Sequence, residues 1–171
     1  MGNESKKRNV TLKLTRSAIM AALVAVATFL VQIPNPATRG YINFGDIMIF
    51  VSALTFGPIA GGFAGSVGSA ISDVTGGYGY YAPFTFVIKG VEGVIAGLIS
   101  SRASVMRDGF AVIISGSEMV VGYFLTQVYL YGLPSALTEV PGNVSQVVVG
   151  GLIGIPLAVV LRKRLPEVWI K

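Results

Sequence analysis

Lys89 and Glu92 lie three residues apart in "VIKGVEGVIAG", residues 87–97, a stretch that is otherwise apolar. Glu118, Gln127, Asn143 and Gln146 are further polar side chains set within or at the ends of apolar runs. A charge at the centre of a membrane-spanning helix costs roughly 2.5–3.5 kcal/mol on insertion scales, so such residues face a partner or a cavity. Two chemistries fit. One is a ligand pocket in which polar groups fix a small molecule's orientation while tyrosines and phenylalanines stack on it. The other is an ion pair of Lys89 with Glu92 or Glu118 that only neutralises buried charge. Asp46 begins one helix and Asp73 ends another, positions that suit capping or the tethering of a loop.

Catalysis finds little footing. Cysteine and histidine are both absent, which removes thiol nucleophiles, the common zinc sites and imidazole-based triads. No catalytic or metal-binding residue is expected. Asp46 in "NFGD" and Asp73 resemble an intramembrane aspartyl protease pair only in residue type, because both fall at the membrane boundary and the flanking residues do not match. A nucleotide-binding loop is missing as well, so transport driven by ATP requires other subunits. The chain also shows no internal repeat, which argues against a self-contained alternating-access transporter.

The elements that must hold these residues are helices in a bilayer. The 171 residues are 53% hydrophobic and 12% charged, with a mean hydropathy of +0.71, which places the chain among integral membrane proteins. The pI of about 9.6 does not signal nucleic acid, because Lys and Arg flank apolar segments rather than line one face. Residues 1–171 read as a single membrane domain, an all-α bundle of six transmembrane helices at about 10–32, 44–56, 58–73, 83–101, 109–131 and 143–161. The breakers Pro34 and Pro36 close the first helix, "GP" at Gly57 and Pro58 makes a corner, and Pro83 opens the fourth helix.

Orientation follows from the cations. With both termini cytoplasmic, the inner segments hold Lys6, Lys7, Arg8, Lys13, Arg16, Arg102, Arg107, Arg162, Lys163, Arg164 and Lys171, and the outer loops hold only Arg39. "KKR" ahead of an apolar run containing Ala25-Val26-Ala27 resembles a cleavable signal, yet the run continues to Val31, which favours a retained helix. Three loops then face outward, 33–43, 74–82 and 132–142, and any binding mouth opens there. At about 1.5 Å per residue, Glu92 and Glu118 fall near the midplane and Lys89 one turn nearer the outside. Thr85, Lys89 and Glu92 share one helix face, Asn143, Gln146 and Gly150 share another, and Gln127 points away from Glu118. Small residues four apart in the third, fourth and sixth helices, such as Gly61 with Gly65 and Gly93 with Gly97, suit close packing within the bundle. Ala18 with Ala22 and Ala21 with Ala25 in the first helix suit either internal packing or docking of another membrane subunit.

"GYINFGD", "ALTFGPIAGGFAGSVGSAISD" and "GGYGYYAPFTFVIKGVEG" resemble the signatures of substrate-binding S components of energy-coupling factor (ECF) vitamin transporters, in the riboflavin-type branch. The resemblance runs over most of the chain and is most specific from Gly40 to Gly97. It implies a plasma-membrane protein that captures a vitamin or precursor outside the cell. Its partners would be a transmembrane coupling subunit and two ATPases, which use the ATP, and release would follow a toppling motion in the bilayer. The vitamin is cargo, and no cofactor is implied. The family's alanine-rich coupling surface maps to Ala18, Ala22 and Ala25. Its pocket maps to Tyr41, Asn43, Tyr81, Lys89, Glu92, Asn143 and Gln146. Riboflavin is the favoured ligand, with pyridoxine-like compounds and a thiamin pyrimidine precursor as alternatives. The scarcity of outward cations argues against a phosphorylated ligand. From another class stands a small structural or assembly protein of the membrane whose buried charges only pair.

Overall fold

The computed structural model describes residues 2–101 and 104–166, with side-chain surroundings from Val10 onward. Arg102 and Lys171, two of the cations assigned inward, lie outside the described residues, as do the side chains of Lys6, Lys7 and Arg8.

The first apolar run forms α1 (Gly2–Leu30). Its segment Val10–Leu30 is long and apolar enough to cross a membrane, as are Ala82–Ile99, Val105–Tyr131 and Leu133–Arg164. Outward-facing apolar side chains such as Ile59, Leu98, Ile113 and Leu152 are exposed on these surfaces, as lipid contact requires.

The segment expected to be a loop at 33–43 is instead a β-hairpin. Strand β1 (Gln32–Asn35) pairs antiparallel with β2 (Gly40–Asn43), Gln32 opposite Asn43 and Asn35 opposite Gly40. Pro34 does end the helix, but a two-stranded edge tolerates its missing N–H. The turn is made by Asn35, whose Oδ1 accepts the Ala37 N–H at 3.0 Å, and by Arg39 at φ 52°.

α2 (Gly45–Phe56) is short and runs through the middle of the molecule, packing on α1 and on the helices that follow. Ile49, Phe50, Val51, Ala53 and Leu54 are all buried. Gly57, at φ 95°, turns the corner into α3 (Pro58–Phe63). A single π-helical turn, Ala64–Gly68, joins α3 without a break to α4 (Ser69–Thr75). α5 (Ala82–Ile99) follows with Pro83 in its first turn. Backbone approach between the α3–α4 rod and α5 is very close, since a Cβ on Gly93 would stand 2.2 Å from the Gly61 oxygen and one on Gly65 2.1 Å from the Lys89 oxygen. Here the small-residue spacing serves packing within the chain, as expected.

α6 (Val105–Tyr131) is capped by Ser104, whose hydroxyl accepts the Arg107 N–H at 3.4 Å. α7 begins at Leu133 rather than near Asn143 and runs to Arg164, so "GLPSALTEVPG" is helical and not a loop. Pro134 sits in the first turn, where no N–H is needed, and only Pro141 and Pro156 interrupt the ladder. At the end opposite the hairpin, Arg162 of α7 donates to both Asp108 oxygens at 2.8 and 3.2 Å and to the Leu54 carbonyl at 2.6 and 3.0 Å. Ser100 donates to Asp108 at 2.7 Å. Four helices are thereby joined at that end.

Candidate ligand-binding site

Lys89 is where α5 meets α2. Its ammonium donates to the Asp46 carboxylate and, at 3.1 Å, to Glu92 Oε2. It also stands 5.6 Å from the Tyr123 ring centroid, within cation–π range. Lys89 is 2% exposed, Asp46 1% and Glu92 0%, so the three charges share a site from which water is excluded. Glu92 was expected as a partner. Asp46 was expected to cap a helix, and it makes no side-chain cap bond; its place in the first turn of α2 instead aims it at Lys89. Glu118 is half-buried and forms no ion pair with Lys89 among the described residues. Glu118 does not line the cavity that lies above Lys89, whereas Gln127 does.

Above Lys89, towards the hairpin, a cavity of about 30 Å³ is lined by Tyr41, Asn43, Tyr81, Lys89, Asn143 and Gln146, six of the seven residues expected to bind a ligand. The seventh, Glu92, lies beneath Lys89 and outside the lining. Further polar residues that sequence reasoning did not assign to the pocket also line it, among them Thr28, Asp73, Gln127 and Glu139.

An amide relay runs along the wall. The Asn43 backbone N–H donates to Gln146 Oε1 at 2.9 Å, and Gln146 Nε2 donates to Asn143 Oδ1 at 3.1 Å. Asn143 Nδ2 is then left as a buried donor with no partner among the described residues, and Gln127 Oε1, Thr28 Oγ1 and Asp73 Oδ2 are buried oxygens in the same condition. Buried polar atoms are nearly always satisfied, so these four orphans around one cavity are groups that a guest could satisfy.

The hairpin roofs this cavity. Thr38 Oγ1 donates to Glu139 Oε1 of α7, Asn35 Nδ2 donates to Thr138 Oγ1 at 3.2 Å, and the Tyr81 hydroxyl donates to the Thr38 carbonyl at 2.9 Å. Tyr80 donates to the Arg39 carbonyl at 2.5 Å. Tyr41 donates to Asp73 Oδ1 at 2.5 Å, so Asp73 tethers the roof, as expected of a loop anchor. Burial, then the Asp73 charge beside it, pushes the Tyr41 hydroxyl well above its usual range, which keeps it a donor. Tyr41 also packs on Tyr78 with ring centroids 4.4 Å apart.

Glu139 was missed because the prolines around it suggested a loop. Once α7 starts at Leu133, Glu139 and Asn143 are four residues apart on one face. On α1, Ala18 and Ala22 are exposed and Ala25 is half-buried, whereas Ala21 is buried against the bundle.

The family model described as ECF-type riboflavin transporter, S component, matches residues 8–163. The chain belongs to this family of S components. It is therefore a multi-pass plasma-membrane protein of transport and not an enzyme. This S component is 48% identical over 143 residues to a Pyrococcus woesei protein described as an uncharacterized protein in gap 3'region, covering 83% of this chain and 96% of that one. It is 32% identical over 139 residues to the thiamine precursor transporter HmpT of Lactococcus lactis subsp. cremoris, covering 81% and 80%. A solved S component of a bacterial ECF transporter shares its fold, with a TM-score of 0.60 at 20% identity over 89% of this chain and 94% of the other.

Proposed function

We propose that this S component captures a vitamin or vitamin precursor outside the cell, in the cavity under its hairpin, and passes it to the ATP-driven remainder of an ECF importer. Residues 1–171 act as one membrane domain with six spans: α1, α2, the α3–α4 rod, α5, α6 and α7. Both termini are cytoplasmic. Arg39 lies at the hairpin end while Lys13, Arg107, Arg162, Lys163 and Arg164 lie towards the other, which supports that orientation.

The observation that carries the reading is the cavity with its orphaned Asn143, Gln127 and Thr28 atoms. In a bundle that only buried its charges, Asp46 and Glu92 would hold Lys89 and nothing would gather these further polar atoms at one cavity. The similarity to a thiamine precursor transporter favours a thiamine precursor as ligand. Riboflavin is the second reading, favoured by the description of the matching family. Stacking falls to Tyr41 and Tyr81, and hydrogen bonding to Asn43, Asn143 and Gln146, with Lys89 at the floor supported by Glu92.

Ala18, Ala22 and Ala25 supply the stripe on which a transmembrane coupling subunit docks, with two ATPases behind it. Small exposed side chains at four-residue spacing permit close approach of another helix. Mass spectrometry of the small molecule released when the purified protein is denatured tests the ligand assignment. An equimolar thiamine precursor is expected. Equimolar riboflavin would select the second reading, and a molecule that is neither a vitamin nor a vitamin precursor would refute both.

A further inference from the structure

We propose that Glu139 is the specificity-determining residue of this pocket, a buried carboxylate that selects a ligand bearing a ring amino group over one bearing an oxygen in its place. The proposal rests on reading the cavity as the ligand site and deepens that reading.

Glu139 lines the cavity and is 2% exposed. Among the described residues it has no ion-pair partner. Its recorded contact is the hydroxyl of Thr38, a neutral donor. Among the described residues Lys89 is the one cation in the cavity wall, and Asp46 and Glu92 both hold it already. Burying a carboxylate without a paired cation is costly unless donors reach its oxygens. A guest that brings an N–H donor, neutral or protonated, relieves that cost; a guest that brings a carbonyl oxygen adds repulsion.

The neighbouring wall fixes how such a guest would sit. Asn143 lies one helical turn from Glu139. Its amide cannot be turned round freely, because a backbone N–H sets Gln146 as acceptor there and Gln146 in turn sets Asn143 Oδ1 as acceptor. Nδ2 is thus a fixed donor beside a fixed acceptor. The complement is an amino group next to a ring nitrogen: the amine donates to Glu139, and the ring nitrogen accepts from Asn143. Gln127 Oε1 and Thr28 Oγ1 supply further acceptors for a hydroxyl or a second N–H. Gly40 leaves room for the carboxylate, since a Cβ there would stand 2.9 Å from Glu139 Oε1.

A rival role for Glu139 is that of a latch for the hairpin through Thr38. The experiment separates the two. Purified protein is titrated calorimetrically with a hydroxymethyl-aminopyrimidine, the same ring with an oxo group in place of the amine, and riboflavin. A hydrogen bond to a charged group is worth enough that the amine should bind about tenfold or more tighter than the oxo analogue. Glu139→Gln, which keeps the shape and removes the charge, should bring that ratio close to one. Thr38→Val, which cuts the latch and the bond that Thr38 Oγ1 accepts from the Gly40 N–H but leaves the carboxylate in place, should weaken both ligands alike and leave the ratio. An unchanged ratio in Glu139→Gln overturns the proposal, as does the same loss of ratio in Thr38→Val. Tight riboflavin binding without the aminopyrimidine overturns it while leaving the capture function intact. No binding by any probe refutes the pocket itself. Unfolding midpoints of the variants confirm that the comparison is made on folded protein.

Discussion

A lysine held by two carboxylates beneath a cavity ties the stability of the fold to one side chain. Removing the ammonium strands Asp46 and Glu92, 1% and 0% exposed, without a cation. Lys89→Met is therefore expected to destabilise the fold by about 3–5 kcal/mol, the usual cost of breaking a buried pair from one side. Adding Asp46→Asn and Glu92→Gln should recover much of that loss. Thermal unfolding in detergent checks both, and a wild-type midpoint for Lys89→Met alone would show that the cluster carries no strain. At this scale the sequence was informative about which groups are buried together on a helix: Thr85, Lys89 and Glu92 are all buried, as one face of α5 requires. It was silent on Asp46, because the pairing of α2 with α5 is a tertiary fact that spacing along one helix does not encode.

Elements are set here by glycine more than by apolar bulk. A Cβ at Gly93 would meet the Gly61 carbonyl at 2.2 Å, whereas nothing lies within 4 Å of the one at Gly109. Gly93→Ala should therefore destabilise by about 1–3 kcal/mol through overpacking, while Gly109→Ala, in a helix with open space, should stabilise by up to about 1 kcal/mol. Unfolding midpoints of the pair compare them directly, and equal effects would contradict the packing account. The exposed stripe on α1 behaves differently, since nothing among the described residues covers Ala18 or Ala22. Ala22→Leu should abolish uptake by cells carrying the whole importer and leave ligand affinity unchanged. Loss of affinity instead would place this residue in the binding fold. The hairpin and the early start of α7 were not legible beforehand. Pro34 was read as a breaker and residues 132–142 as a loop, yet Pro34 lies in a two-stranded edge and Pro134 in a first helical turn, where a missing N–H is tolerated.

Across the whole molecule the two ends have different tasks. The hairpin end is tied by hydrogen bonds to Asp73, Tyr81 and Glu139, which also line the cavity. The other end is tied by Arg162 to Asp108 and the Leu54 carbonyl, away from the cavity. Arg162→Met is expected to lower the unfolding midpoint, as a buried pair broken from one side costs about 3–5 kcal/mol, without changing ligand selectivity; a change in selectivity would mean that the ends communicate. Composition and the placement of cations made the membrane class legible from the sequence, and the motifs from Gly40 to Gly97 pointed to the family. The cavity wall was less legible, because Glu139 and Gln127 join Asn143 around it only once the helices are packed. The most direct test of the account is calorimetric titration of the purified protein with vitamins and their precursors. It should bind one of them at equimolar saturation, and Asn143→Leu should lose that binding while remaining folded. Binding that persists undiminished in Asn143→Leu, or no binding by the wild type, would contradict it.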